Sequence, residues 1–260
     1  MPTPSLAELR SVATDAAYAG GRRTLAYFNT KLEIETKADN TPVTRADREA
    51  EAVIKSIISS RYPTHAILGE ETGITPGDAE FRWIIDPIDG TKTFIHGVPF
   101  YGVLVAVEVR GQPQVGAVYL PALDEMLTAA TGLGCTWNGR PAHVSTVNKL
   151  EDATLLTTNV TRSQARSDAY DRLVAKTKLH RTWGDCYGYL LVATGRAEIM
   201  LDAAMNPWDC APMLPILKEA GGQFTDWTGR ETIHGPDAVA SNSALNAAVL
   251  EILKSEKRRG

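Results

Sequence analysis

The sequence predicts an α/β fold, more closely an α+β arrangement in which two halves make one compact unit. Over residues 1–145, amphipathic helical patterns come first, and β-favouring segments joined by tight turns follow, so helices should lie on a largely antiparallel sheet. Over 146–260 strands alternate with helices, the rhythm of a sheet covered on both faces. At 260 residues, 43% hydrophobic and 22% charged, the chain can bury a sizeable core as one large domain or two packed halves.

Ser5-Leu6-Ala7-Glu8 reads as a capping box, and Leu6, Leu9, Val12, Ala13, Ala16 and Ala17 follow at helical spacing. Gly20-Gly21 would fray that helix or let it pack closely. An extended stretch, Leu32 to Thr36, leads into a polar, proline-punctuated loop at 37–43. Thr44-Arg45-Ala46-Asp47 can cap a second helix, with Ala50, Val53, Ile54, Ile57 and Ile58 as its apolar stripe and an end near Arg61-Tyr62-Pro63. Ala66 to Gly69 is a brief strand carrying Glu70-Glu71 at its end, and Thr72 to Asp78 reads as a mobile loop. Strands are expected at 101–109, 114–120, 125–130 and 133–137, with turns at Arg110-Gly111-Gln112-Pro113 and Asn138-Gly139. In the second half, strands are expected at 153–157, 197–201, 223–226 and 238–240. Helices are expected at 167–178, 188–194 and 209–220, the last kinked by Pro215, and from a Ser243 cap to Leu253.

The segment Trp83-Ile84-Ile85-Asp86-Pro87-Ile88-Asp89-Gly90-Thr91-Lys92 stands apart. Its apolar start is a strand buried on both faces, and Pro87 should force the chain out of the sheet where Asp86 ends it. Asp86 and Asp89 then sit at a strand's carboxyl end, where open α/β sheets place ligands. Two carboxylates about 4 Å apart repel by roughly 4 kcal/mol at an effective dielectric of 20, a repulsion that a divalent cation relieves. Gly90-Thr91 offers unobstructed N–H groups of the kind that cradle phosphate oxygens. Taken alone, the stretch is equally an acidic turn. Magnesium would need further oxygen donors, and Glu70 and Asp209 (in Asn206-Pro207-Trp208-Asp209) are candidates; singly, each also reads as an ordinary loop or first-turn acid.

Other classes are disfavoured. Net charge is −4, and the one basic run is Lys257-Arg258-Arg259, which argues against nucleic acid. The apolar run Val98 to Val109 is too short and interrupted to span a membrane, and no secretory signal is expected at the N-terminus. Cys135, Cys186 and Cys210 read as reduced thiols of a cytoplasmic protein, and the five histidines lack zinc spacing.

Gly69-Glu70-Glu71, the run from Trp83 to Thr91, and Trp208-Asp209 followed by Glu219-Ala220-Gly221-Gly222 resemble the inositol monophosphatase family, over nearly the whole chain. The resemblance implies a layered α-β-α-β-α sandwich and a magnesium-dependent phosphomonoesterase, commonly a lithium-inhibited homodimer, acting on a small phosphorylated metabolite. By position it makes Glu70, Asp86, the Ile88 carbonyl, Asp89 and Asp209 ligands for two or three magnesium ions. Gly90 and Thr91 would hold the phosphate. Glu70 and Thr91 would position the attacking water, with Asp47 bonded to the threonine hydroxyl. Thr93 departs from the asparagine common in the family, outside the ligand set.

For the leaving group, the informative segment runs from Arg181 to Tyr189. Inositol-specific relatives usually carry a small residue at position 185. Asp185 together with Asp202 would add negative charge beyond the phosphate, which suits a cationic alcohol better than a neutral polyol. Trp183, Tyr187 and Tyr189 could flank a ring. By itself Asp185 reads as a helix cap. The segment resembles the histidinol-phosphate phosphatase branch, which implies L-histidinol phosphate as substrate. The alternatives are an inositol monophosphatase of broad sugar-phosphate tolerance, a 3′-phosphoadenosine phosphatase (disfavoured because nucleotide-handling relatives are longer), or an inactive phosphate-binding protein. Retention of Glu70, Asp86, Asp89, Thr91 and Asp209 speaks against the last.

Overall fold

Helix α1 (Leu6–Leu25) begins at the expected capping box, with Ser5 and Glu8 bonded reciprocally. The computed structural model describes residues 3–37 and 41–255, with Ala79 in backbone only; residues 38–40 of the expected loop and the basic run 257–259 lie outside the described residues. Gly20 and Gly21 pack rather than fray. A Cβ on Gly20 would lie 2.7 Å from the Ile54 side chain, and one on Gly21 would lie 2.4 Å from the Tyr119 ring. Strands β1 (Ile34–Thr36) and β2 (Pro42–Thr44) form an antiparallel ribbon, so the expected loop at 37–43 ends in a strand. Pro42 is tolerated there because a two-stranded ribbon consists only of edges. Helix α2 (Arg45–Arg61) starts at a second capping box, Thr44 with Asp47.

Strand β3 (His65–Gly69) pairs antiparallel with β4 (Gly73–Thr75), which occupies part of the segment expected to be a loop. The long strand β5 (Asp78–Asp89) corrects a central expectation, because the chain does not leave the sheet at Asp86. Asp86 pairs with Leu104 and Asp89 with Gly102, so one extra residue is absorbed as a bulge. A bulge lets Pro87 sit in the strand without a missing ladder bond. After β5 come α3 (Thr91–Ile95), β6 (Gly102–Val109), β7 (Gln112–Leu120), β8 (Glu125–Ala130), β9 (Cys135–Trp137) and β10 (Arg140–Pro141). The two-residue turns Arg110-Gly111 and Asn138-Gly139 have positive φ at both positions, the twist a tight hairpin requires. The eight strands run in the order β10-β9-β8-β7-β6-β5-β3-β4, with only β3 and β5 parallel among these pairs.

The remaining elements are β11 (Thr154–Leu156), α4 (Val160–Arg166), α5 (Ala169–Val174), β12 (Leu179–Arg181), α6 (Asp185–Ala193), β13 (Ile199–Asp202), α7 (Pro207–Cys210), α8 (Met213–Glu219), β14 (Gly222–Thr225), β15 (Ala238–Asn242) and α9 (Asn246–Lys254). Their mixed sheet has the order β12-β11-β13-β15-β14. Four expectations are revised. The helix at 167–178 is shorter and is preceded by α4, which Asn159 caps through Arg162 N at 3.0 Å. The helix expected from 188 starts at Asp185. The helix at 209–220 breaks at Ala211-Pro212 rather than kinking at Pro215. Pro215 lies in the first turn of α8, where its missing N–H has no intrahelical acceptor anyway. Ser243 does not cap α9: it donates to Gly221 O, and Asn242 Oδ1 accepts Leu245 N instead.

Period-2 alternation distributes these elements into layers. Trp83, Ile85, Val103, Val105 and Val107 face α1 and α2, whereas Ile84, Leu104, Ala106, Val118 and Leu120 face inward to α6 and α8. Met200, Phe224 and Ala240 close that middle layer from the second sheet, and Leu155, Ile199 and Val239 pack outward on α5 and α9. The result is an α-β-α-β-α sandwich. Cys135, Cys186 and Cys210 are buried free thiols. Among the described residues, no helix is long and apolar enough to cross a membrane.

Candidate active site

The β5 bulge turns its acids toward a cleft of about 580 Å³ at the meeting of the two sheets' strand ends. Ile88, 1% exposed, packs with Ala46, Phe94 and Tyr101, so the bulge is anchored by an apolar side chain while its flanking carboxylates line the cleft. Asp86 Oδ1 accepts the Ile88 N–H at 3.0 Å, which fixes the carboxylate over its own turn. Asp209 arrives from the other half. It closes a capping box with Asn206 at the start of α7, where Pro207 supplies the fixed φ of a first helical residue. Carboxylate oxygens of Asp86, Asp89 and Asp209 lie within 4.8 Å of one another.

Burial raises all three acids, and neighbouring carboxylates add to it. Burial, then the charges of Glu70, Asp89 and Asp209, pushes Asp86 well above the usual carboxylate range. Burial, then Asp185 and Asp209, does the same to Asp89. Asp209 is pushed up to about 7, chiefly by burial, against its backbone bond from Asn206.

Glu70 follows β3 and also lines the cleft, with Lys37 Nζ 2.7 Å from its Oε1 and 2.6 Å from Glu71 Oε1. Burial alone would lower Lys37, but its bonds to Glu70 and Glu71 outweigh that and hold it above its usual value. The turn itself is held from below: buried Glu51 accepts Glu71 N at 2.9 Å, Thr72 N at 3.1 Å and the Thr72 hydroxyl. Gly69 has no Cβ because one would lie 2.4 Å from Glu51 Oε1.

Gly90 (φ +79°) ends the bulge in the left-handed region and caps α3, whose first-turn N–H groups have no intrahelical acceptors. The Thr91 hydroxyl donates to Ile88 O at 3.1 Å. The bond between Asp47 and Thr91 implied by the resemblance is not made in this geometry. Asp47 Oδ2 accepts the N–H and hydroxyl of Thr44, both at 2.7 Å, as the third residue of a capping box, and its Oδ1 is buried without a partner among the described residues.

From the second half of the chain, Asp185 opens α6 beside Gly90 with φ +49°. Its carboxylate does not cap the helix but accepts the Thr93 hydroxyl at 2.6 Å. Asp202, 5% exposed, is engaged by protein donors: Thr158 N at 2.9 Å, the Thr158 hydroxyl at 3.1 Å and the Tyr189 hydroxyl at 3.1 Å. Of the three aromatics, Trp183 lines the cleft at 40% exposure, while Tyr189 lines it but is buried. Tyr187 stacks on Phe100, ring centroids 4.4 Å apart.

The sequence matches the inositol monophosphatase family over residues 5–258. The chain belongs to the inositol monophosphatase family. It is 42% identical to a histidinol-phosphatase of Chlorobaculum parvum over 260 residues, covering 98% of this chain and 99% of that one. Among solved structures, the extragenic suppressor protein suhB of Bartonella henselae aligns with a TM-score of 0.89 at 30% identity, covering 95% and 98% of the two chains. An IMPase of Thermotoga maritima aligns at 0.86 and 30% identity, covering 94% and 96%.

An inositol monophosphatase family phosphatase acts on small phosphorylated metabolites, and the donor set here suits a hard divalent cation. The Asp86, Asp89 and Asp209 oxygens are all carboxylate, close together, and electrostatically unfavourable without a positive charge among them. Sequence reading missed Thr158 and Lys37, took Tyr189 for a ring-flanking aromatic rather than a donor to Asp202, and saw Thr93 only as a departure. Thr158, two residues past the end of β11, is the kind of strand-end polar residue that could have drawn attention. Glu219, part of the family signature, holds the turn after β8 through Gly132 N at 2.9 Å and Gly134 N at 2.8 Å, outside the cleft lining.

Proposed function

We propose that this chain is a magnesium-dependent phosphomonoesterase that converts L-histidinol phosphate and water to L-histidinol and phosphate. The observation that carries the substrate assignment is Asp185. Its carboxylate lines the cleft beside Gly90, next to the Asp86, Asp89 and Asp209 cluster, and among the described residues Thr93 alone hydrogen-bonds it. A carboxylate facing the leaving group favours an alcohol that carries an ammonium or imidazolium. The relative named histidinol-phosphatase, at 42% identity, supports the same choice.

Glu70, Asp86, Asp89, Asp209 and the Ile88 carbonyl would hold the magnesium, two or three ions in all. When bound, magnesium acidifies water and neutralises phosphate and leaving-group oxygens. The chain's own residues do the rest. First-turn N–H groups at Gly90 and Thr91 bind the phosphate, and Glu70 and Thr91 orient the attacking water. Thr91 would give up Ile88 O for Asp47 Oδ1, which has no partner among the described residues, and that exchange frees the Ile88 carbonyl as a metal ligand. Asp185 orients the leaving alcohol. Reduced, buried cysteines support a cytoplasmic setting, and family resemblance supports a homodimer.

The test is phosphate release with magnesium from L-histidinol phosphate and myo-inositol 1-phosphate, compared by kcat/KM. A preference of about a hundredfold, roughly 2.7 kcal/mol, is expected for histidinol phosphate. Equal rates would support the second reading, an inositol monophosphatase of broad specificity, which is favoured by Asp202 being taken up by Thr158 and Tyr189.

A further inference from the structure

Asp185 is a non-glycine residue in the left-handed region, a conformation that persists only where its surroundings impose it. Two threonines from the two halves of the chain do so. From the second half, the Thr158 hydroxyl accepts the Asp185 N–H at 2.8 Å. That hydroxyl has one proton, which it donates to Asp202 Oδ2 at 3.1 Å, while Thr158 N donates to Asp202 Oδ1 at 2.9 Å. With the proton committed to a carboxylate, the oxygen presents a lone pair to Asp185 N. Gly184 permits the approach, since a Cβ there would lie 2.3 Å from Thr158 Cα. From the first half, the Thr93 hydroxyl donates to Asp185 Oδ2 at 2.6 Å. The same carboxylate oxygen would lie 2.7 Å from a Cβ on Gly90, so it rests against the backbone that follows Asp89.

We propose that Thr93 and Thr158 are positioning residues that set substrate choice by fixing the Asp185 carboxylate at one place relative to the acid cluster. This rests on the assignment of Asp185 to the leaving group and extends it. Asp202 enters as the anchor of Thr158 rather than as a group that touches substrate. Thr93 fixes one carboxylate oxygen and leaves the other for a donor on the ligand. The pair therefore selects phosphomonoesters of amino alcohols or imidazole alcohols whose cation reaches that oxygen while the phosphate occupies the acid cluster. A neutral alcohol can offer that oxygen a hydroxyl but no charge, and gains less from the arrangement.

The experiment measures KM and kcat for L-histidinol phosphate and for glycerol 2-phosphate, a neutral-alcohol ester, in Thr93→Val, Thr93→Ser, Thr158→Ser, Asp185→Asn and the Thr93→Val/Asp185→Asn double variant. Thr93→Val should raise KM for histidinol phosphate by about tenfold, the size of one hydrogen bond to a charged group, and shift the neutral ester far less. Thr93→Ser and Thr158→Ser, which keep the hydroxyl, should stay near the parent. The double variant should add nothing to Asp185→Asn, because Thr93 acts through that carboxylate. Equal shifts on both esters in Thr93→Val, or no shift on either, would overturn the positioning role while Asp185→Asn still separates them. If Asp185→Asn itself fails to separate the esters, the substrate assignment falls, and the positioning role falls with it.

Discussion

Asp89 Oδ2 accepts the backbone N–H of Cys186, so an acid on the first sheet's bulge is bonded to the first turn of a helix from the other half of the chain. Asp89 thus carries charge for the cleft and ties α6 in place. Asparagine keeps an acceptor oxygen but not the charge, whereas alanine keeps neither. Asp89→Asn should abolish magnesium-dependent phosphate release and melt at or above the parent temperature without magnesium, since one repelling charge is gone. Asp89→Ala should be equally inactive and less stable by about 1–3 kcal/mol, the cost of leaving a buried donor unpaired. Thermal melts with and without magnesium separate the two variants.

The buried Asp202 gives a pH dependence of known sign. Burial, opposed by the Thr158 bonds, pushes its carboxyl up to about 6 from the usual 3.8. Between those values the folded chain holds a proton that the unfolded chain has released, so stability contributed by this group falls as pH rises from about 4 to 6. The full effect is on the order of 3 kcal/mol. In Asp202→Asn that decline should flatten, as read from urea midpoints at constant ionic strength. An unchanged slope would mean that Asp202 titrates normally.

Gly90→Ala should fail in two ways. At φ +79° a side chain is strained by about 1–2 kcal/mol, and the new Cβ would press on Asp185 Oδ2 from 2.7 Å. We expect kcat/KM for histidinol phosphate to fall by about a hundredfold or more, with KM rising, since a displacement of this kind disturbs both phosphate and leaving group.

Gly21→Ala is the matching structural control. Its Cβ would lie 2.4 Å from the Tyr119 ring and 2.7 Å from Pro121 Cγ, in the layer of α1 against the first sheet. Overpacking there should destabilise by about 1–3 kcal/mol and leave KM for either ester unchanged.

What the sequence disclosed depended on how local the determinant was. Capping boxes at Ser5 and Thr44, the Asn138-Gly139 turn and the period-2 strands around Val105 and Val118 rest on short-range chemistry, and the structure has them where expected. The misplacements came from competition between neighbours. Pro87 reads as a strand breaker, yet a bulge paired across to Leu104 and Gly102 accommodates it, and the partner strand cannot be seen from Pro87 itself. Pro212 and Pro215 both interrupt a helical pattern, and only packing decides that the break falls at the first; a Cβ on Gly116 would lie 2.2 Å from Pro212 O. At the cleft, the acids stood out because charged residues end apolar strands. Thr93 and Asp185, 92 positions apart, became a pair only when the fold brought α3 against α6.

The bond from Cys186 to Asp89 comes from a peptide N–H, not from a side chain. Position 186 is therefore open to any residue that fits the space over Gly102, except proline, which has no hydrogen to give. Lineages could exchange the segment around 183–189 and so acquire a taste for another alcohol without disturbing hydrolysis, because the fastening between the two is written in the main chain, which every substitution but one preserves.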